Sequence, residues 1–119
     1  MKIYTDRIST AERQALAQLA TLLRDVSTHA LSHELAATLD QWATAAPGRE
    51  LSTATLDASA EAMNAAWQQM SGRVQAIFQP EFNAADQCRF AARGAGMGAP
   101  QSFSENVADA HQALSAAQR

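Results

Sequence analysis

The chain has 119 residues and a formal net charge of −3, and this length favours a single domain. Alanine supplies 28 residues, whereas leucine, isoleucine, valine and phenylalanine together supply 20, so we expect a folded domain with a thin core. The acidic balance disfavours general nucleic-acid binding, and the chain lacks the 18 consecutive apolar residues of a membrane span. The single cysteine and an N-terminus without the apolar run of a signal peptide predict a cytoplasmic protein.

The first half of the chain predicts an N-terminal arm and one or two helices. Residues 1–8 form the arm, and the capping-box spacing of Ser9 and Glu12 places a helix start near Thr10. An apolar stripe at helical spacing follows. Its members are Leu16, Leu19, Leu23, Val26 and Ala30. The stripe then shifts by one position. The later members are Leu31, Leu35, Leu39 and Trp42. Either one helix rotates its buried face or the chain breaks near residues 27–29, and we favour the break.

The middle of the chain carries the clearest stripe. Its members are Leu56, Ala60, Met63, Trp67, Met70, Val74 and Ile77. After the turn at Pro47-Gly48, we expect a helix from about Thr53 that ends before Pro80, because the residue preceding a proline disfavours the α region. A new helix then begins at Pro80. Trp67 is expected to be a core residue, so that its replacement by alanine costs about 3–5 kcal/mol.

The last third predicts a helix that ends near Gly94, a glycine-rich loop and a short final helix. The loop covers residues 94–101. Ser102 and Glu105 have the spacing of a second capping box, which predicts the last helix start. The fold class that follows is all-α, a small antiparallel bundle of four to five helices in one domain, 1–119.

Two histidines are weak candidates for a metal site. His29 and His33 lie four residues apart on one helical face, with Asp25 one turn earlier, a spacing that can contribute zinc ligands. The metalloprotease helix motif requires glutamate directly after the first histidine, and Ala30 occupies that position. A solvated polar face is the preferred interpretation, and no metal or cofactor is predicted.

No arrangement in the sequence predicts catalysis. Cys88 has no histidine nearby in sequence, so we interpret it as a buried structural residue rather than a nucleophile. The glycine-rich run at residues 93–98 follows a helix and lacks a nearby lysine, unlike phosphate-binding loops. No pair of residues has the spacing that acid–base chemistry requires. The prediction is therefore a protein that is not an enzyme.

The favoured functional hypothesis is binding to another protein. The stretch 50–70 carries a net charge of −3 from Glu50, Asp57 and Glu61, and an acidic face of this kind suits a basic partner surface. Small size and the missing catalytic set are typical of a bacterial or phage inhibitor, immunity protein or antagonist. The thin core also makes self-association a possibility.

The alternative hypothesis is a small helical subunit of a nucleoprotein complex, comparable at fold level to the small subunits of CRISPR effector complexes. Arg89 and Arg93 share a helical face, and Arg73 precedes them on the previous predicted helix. If the chain turns at Pro80, the three arginines form one basic patch that contacts nucleic acid or another anion.

Overall fold

The protein, described over residues 2–118 by a computed structural model, consists of five α-helices and a small two-stranded sheet. The elements are β1 (Lys2–Tyr4), a 3-10 helix (Thr5–Arg7), α1 (Thr10–Val26), α2 (Ala30–Thr44), β2 (Glu50–Ser52), α3 (Ala54–Gln68), α4 (Gly72–Gly94) and α5 (Pro100–Ala117). Helices account for 78 % of the structure, so the prediction of an all-α bundle is confirmed. Met1 and Arg119, the two ends of the predicted single domain, lie outside the described residues.

The first two helices form a hairpin, and the favoured break between them is confirmed. The capping box is present: the side chain of Ser9 accepts a hydrogen bond from the Glu12 amide, and the Glu12 carboxylate accepts one from the Ser9 amide. Ser27 ends α1 in an extended conformation. His29 starts α2, because its Nδ1 accepts the amide hydrogen of Leu31 at 3.2 Å.

The N-terminal segment is a strand rather than an arm. Ile3 pairs with Leu51 in the antiparallel β1–β2 ladder, and both Ile3 and Ile8 are buried in the core. Tyr4, which lies between them in the chain, is 53 % exposed. The local sequence pattern does not predict this strand, because its pairing partner lies almost 50 residues away in the chain.

The middle of the chain departs from the prediction. The expected single helix ends at Gln68, and α4 begins at Gly72 and continues through Pro80 to Gly94. Ser71 causes the new start, because its Oγ accepts a hydrogen bond from the amide of Val74 at 3.4 Å. Pro80 lacks the N–H that would bond to the carbonyl of Ala76, one turn earlier, so a single helical hydrogen bond is lost. Ala76 is exposed, and water can solvate its free carbonyl.

The final helix is longer than predicted and starts earlier. Pro100 occupies its first turn, where the missing N–H has no cost. The helix has 18 residues, and the predicted capping box of Ser102 and Glu105 is wrong because both residues already lie inside α5. Gly94 ends α4, so the glycine-rich loop shrinks to residues 95–99.

The core lies between two hairpins, α1 with α2 and α4 with α5. The large buried side chains of the first hairpin are leucines, at positions 16, 19, 23, 35 and 39. In contrast, α4 buries only small side chains. They are Ala84, Ala85, Cys88, Ala91 and Ala92. Small residues let α5 approach α4 closely, and α3, which buries Leu56 and Met63, packs against α2 and α4 at the edge of this body.

Candidate functional site

The predicted acidic face reduces to one turn of α3. Asp57 lies in the first turn of that helix, where a negative charge favours the helix dipole, and Glu61 is exposed one turn later. Glu50 lies before the helix, in β2. The carboxylate of Asp57 pairs with the guanidinium of Arg93 at 2.7 Å, so its charge is compensated locally. Glu61 is therefore the carboxylate that α3 presents outward.

The structure does not bring the three predicted arginines together. All three lie on the continuous helix α4, where the 16 helical steps from Arg73 to Arg89 correspond to about 24 Å along the axis. Arg89 donates to Asp86 through Nε at 3.3 Å and Nη2 at 3.0 Å, and Arg93 pairs with Asp57. The predicted basic patch required a turn at Pro80, and the helix does not turn there.

A groove of about 300 Å³ separates α3 from α4. It is lined by Ala60, Met63, Asn64, Trp67, Gln79, Phe82, Asn83, Asp86 and Arg89. The rings of Trp67 and Phe82 form its aromatic floor, with centroids 5.0 Å apart and planes inclined at 57°. The carboxamide of Gln79 donates to Asn83 at 2.9 Å on one wall.

The charged end of the groove is held rigidly. The Arg89 side chain is only 13 % exposed, and its guanidinium carbon lies 4.5 Å from the centroid of the Phe90 ring. The Asp86 carboxylate on one side and this ring on the other fix the orientation of the guanidinium. The groove thus combines an aromatic floor, amide groups that donate and accept, and a preorganised arginine.

The amide residues of this groove and the contact of Phe82 with Trp67 were not predicted from the sequence. Asn64 lies on α3 and Asn83 on α4. The sequence predicts the boundary between these helices at Pro80, so nothing in the local pattern predicted that the two asparagines lie close together. The spacing of four exposed residues does place them on one face of a helix. They are Gln79, Asn83, Asp86 and Phe90, at spacings of four, three and four. They form a ridge on α4 beside the groove.

The two histidines serve the fold in this structure. His29 caps α2 and packs its ring edge-to-face against Phe82, with centroids 5.3 Å apart. His33 Nε2 lies 2.6 Å from the carbonyl oxygen of Ser27, where it secures the end of α1. Within residues 2–118, no group of three or more histidine, cysteine or acidic side chains is arranged to hold a metal ion.

Cys88 is buried, as expected, and burial raises the pKa of its thiol from 9.0 to about 12. The thiolate is the reactive form. We therefore expect Ellman's reagent at pH 8 to leave the native protein unlabelled over a period in which the urea-unfolded chain reacts completely. Comparable rates in the two states would contradict the burial of this thiol, and Cys88→Ala provides the blank.

A second groove, of about 470 Å³, lies between the beginnings of α1 and α5. Its walls are mainly apolar, from Ala11, Ala15, Phe103 and Val107, with Ser104 on the α5 side. Its other polar side chains are Arg7, Ser9 and Glu12, and the Glu12 carboxylate already accepts hydrogen bonds from the amides of Ser9 and Gly96.

Comparisons with known protein families, curated proteins and solved structures found no match to this chain. Within the described part of the chain, none of the helices combines the length and apolar character that crossing a bilayer requires.

Proposed function

We propose that the protein is a non-enzymatic protein-binding module that docks the α3–α4 groove, with the neighbouring acidic turn, onto a partner protein. The observation that carries this proposal is the presence of Trp67, Phe82 and the preorganised Arg89 in one groove. Tryptophan and arginine are among the residue types that dominate binding energy at protein interfaces. Holding them in place before binding reduces the entropy that association costs.

The chemistry of the rim favours a polar, basic partner surface. The amides of Asn64, Gln79 and Asn83 can pair with backbone or side-chain groups of either polarity. Glu61, which is exposed on α3, adds negative potential, and complementary charge accelerates association. Small size and an acidic balance support the narrower proposal of an inhibitor, immunity protein or antagonist from a bacterium or phage that covers a basic functional surface.

Three arginine substitutions at exposed positions test which surface binds. Asn83→Arg obstructs the α3–α4 groove, Ser104→Arg obstructs the α1–α5 groove, and Gln41→Arg adds the same charge on α2, outside both grooves. Each immobilised variant would be compared with the wild type for retention of proteins from bacterial and phage-infected lysates. Half of every lysate would be treated with nuclease.

The proposal expects the same discrete proteins on the wild type, Ser104→Arg and Gln41→Arg, with a loss of at least about tenfold on Asn83→Arg, equivalent to about 1.4 kcal/mol. Nuclease treatment should not change this pattern. Retention that is lost on Ser104→Arg would instead assign binding to the apolar groove. Retention that disappears with the nucleic acid would favour the nucleoprotein alternative.

A further inference from the structure

The stripe of α3 continues through α4 without a change of register. Every seventh residue from Leu56, and every seventh residue from Ala60, occupies the same face of a heptad repeat. We call these two rows of positions lines. The two lines are Leu56, Met63, Met70, Ile77, Ala84, Ala91 and Ala60, Trp67, Val74, Glu81, Cys88, Ala95. Four of the last members, Ala84, Cys88, Ala91 and Ala95, are fully buried. The turn between the helices therefore preserves a heptad repeat over 40 residues, with Glu81 as its charged member, a pattern that is compatible with one continuous helical seam.

The turn opposes a continuous helix mainly through Gly72, which costs about 1 kcal/mol relative to alanine inside a helix. Gln69 retains helical dihedral angles, and the backbone leaves the α region at Ser71, which has φ −67° and ψ 157°. The positive-φ glycines of the described chain, Gly48, Gly96 and Gly98, lie elsewhere. Two side-chain contacts close the turn: Ser71 caps α4, and Gln75 Nε2 donates to the carbonyl oxygen of Trp67 at 2.8 Å.

The hairpin leaves the centre of this seam poorly covered. Ile77 is 66 % exposed, the most exposed large apolar side chain among the described residues, and Met70 and Val74 are only half-buried. Met70, Val74 and Ile77 are the members of the two lines that lie at the turn or just after it. In a straight helix they would form one continuous apolar surface at its middle.

We propose that the α3–α4 hairpin opens at residues 69–71 and that two opened copies exchange their α4–α5 hairpins to form a domain-swapped dimer. Each copy then contains one helix over residues 54–94, about 60 Å long. Contacts between the two halves of the bundle, such as Asp57 with Arg93 and Trp67 with Phe82, re-form between the chains. The dimer loses the two turn contacts and gains an interface in which Met70, Val74 and Ile77 of both copies pack around the two-fold axis. This proposal does not depend on the proposed function.

The first test measures mass. Ser71→Ala/Gln75→Ala removes both turn contacts and adds helix propensity, so after refolding at high concentration it is expected to elute as a dimer, at twice the 12.7 kDa of the monomer. The wild type should populate the same dimer to a smaller extent. Adding Ile77→Asp should weaken the dimer at least about tenfold, because a carboxylate then lies in the new interface, and it should spare the monomer, where this side chain faces solvent.

The second test measures the opening. Spin labels at Asn64→Cys on α3 and Asn83→Cys on α4, both exposed and both lining the groove, lie close together in the hairpin but about 28 Å apart along a straight helix. Refolding the labelled chain with excess unlabelled chain restricts the measurement to pairs within one chain.

A dimer with the long intrachain distance supports the swap. A dimer with the short distance, or a turn variant that remains monomeric at every concentration, overturns it. If the turn variant fails to show native helical circular dichroism, the same two measurements on wild-type protein refolded at high concentration decide the question.

Discussion

Replacing Trp42 by alanine is expected to lower the free energy of unfolding by about 3–5 kcal/mol. This indole is 2 % exposed and belongs to the core formed by the first hairpin. Its removal leaves a cavity that the surrounding leucines can fill only in part, because side chains such as Leu39 are held on a rigid helix. Urea unfolding monitored by far-ultraviolet circular dichroism measures the loss. For a domain of this size the loss is a large share of the total stability.

Trp67 provides the matched comparison. The sequence placed this residue in the core, but it is half-buried and lines the α3–α4 groove, so Trp67→Ala is expected to cost about 1–2 kcal/mol, mostly from its contact with Phe82. A loss equal to that of Trp42→Ala would return Trp67 to a purely structural role and remove the main support for the groove as a binding site.

The elements that could be predicted are those specified by neighbouring residues. The start of α1 depends on Ser9 and Glu12, three residues apart, and its buried face depends on a repeat of three and four. The end of α1 near Ser27 followed from a shift in the same repeat. Each of these signals is local, so the sequence alone carries it, and the all-α class follows from them together with the abundance of alanine.

The α3–α4 boundary could not be predicted because the apolar pattern is identical on both sides of it. The seven-residue repeat is compatible with a hairpin and with a single helix, and the choice depends on the cap at Ser71 and on packing against the rest of the bundle. At Pro80 the preference of the preceding residue against the α region was likewise overridden by packing within the bundle. Burial of the five small residues of α4 that follow it outweighs one lost hydrogen bond.

The candidate groove and the β1–β2 ladder depend on contacts between distant residues. A three-residue strand has no usable periodicity, and the pairing of Ile3 with Leu51 becomes visible only once the helices are placed. Asn64 and Asn83 individually resemble residues of a solvated face. Their role as groove walls follows from the antiparallel arrangement of α3 and α4.

Gly96→Ala is expected to destabilise the protein by about 2–4 kcal/mol. The glycine has φ +75°, a left-handed conformation that costs a side-chain-bearing residue about 1–2 kcal/mol. An added Cβ would also lie 2.9 Å from Ile3 Cγ2 and 3.2 Å from Ile8 Cγ1, and both isoleucines are buried, so overpacking adds about 1–2 kcal/mol. Chemical unfolding of the purified variant measures the total.

Gly98→Ala separates the two contributions. Gly98 has the same φ of +75°, but an added Cβ would meet nothing within 4 Å, so its substitution should cost only the conformational part, about 1–2 kcal/mol. The excess loss of unfolding free energy for Gly96→Ala over Gly98→Ala then measures how closely the glycine-rich loop packs on the N-terminal strand.

Combining Gly96→Ala with Ile3→Ala should cost less than the sum of the single changes, because the second change removes the atom that the new Cβ approaches most closely. Equal losses for Gly96→Ala and Gly98→Ala, with additive behaviour in the double variant, would show that this loop does not fasten β1 to the bundle. The main attachment of the glycine-rich loop to the bundle would then be the Glu12 carboxylate, which accepts hydrogen bonds from the amides of both Ser9 and Gly96.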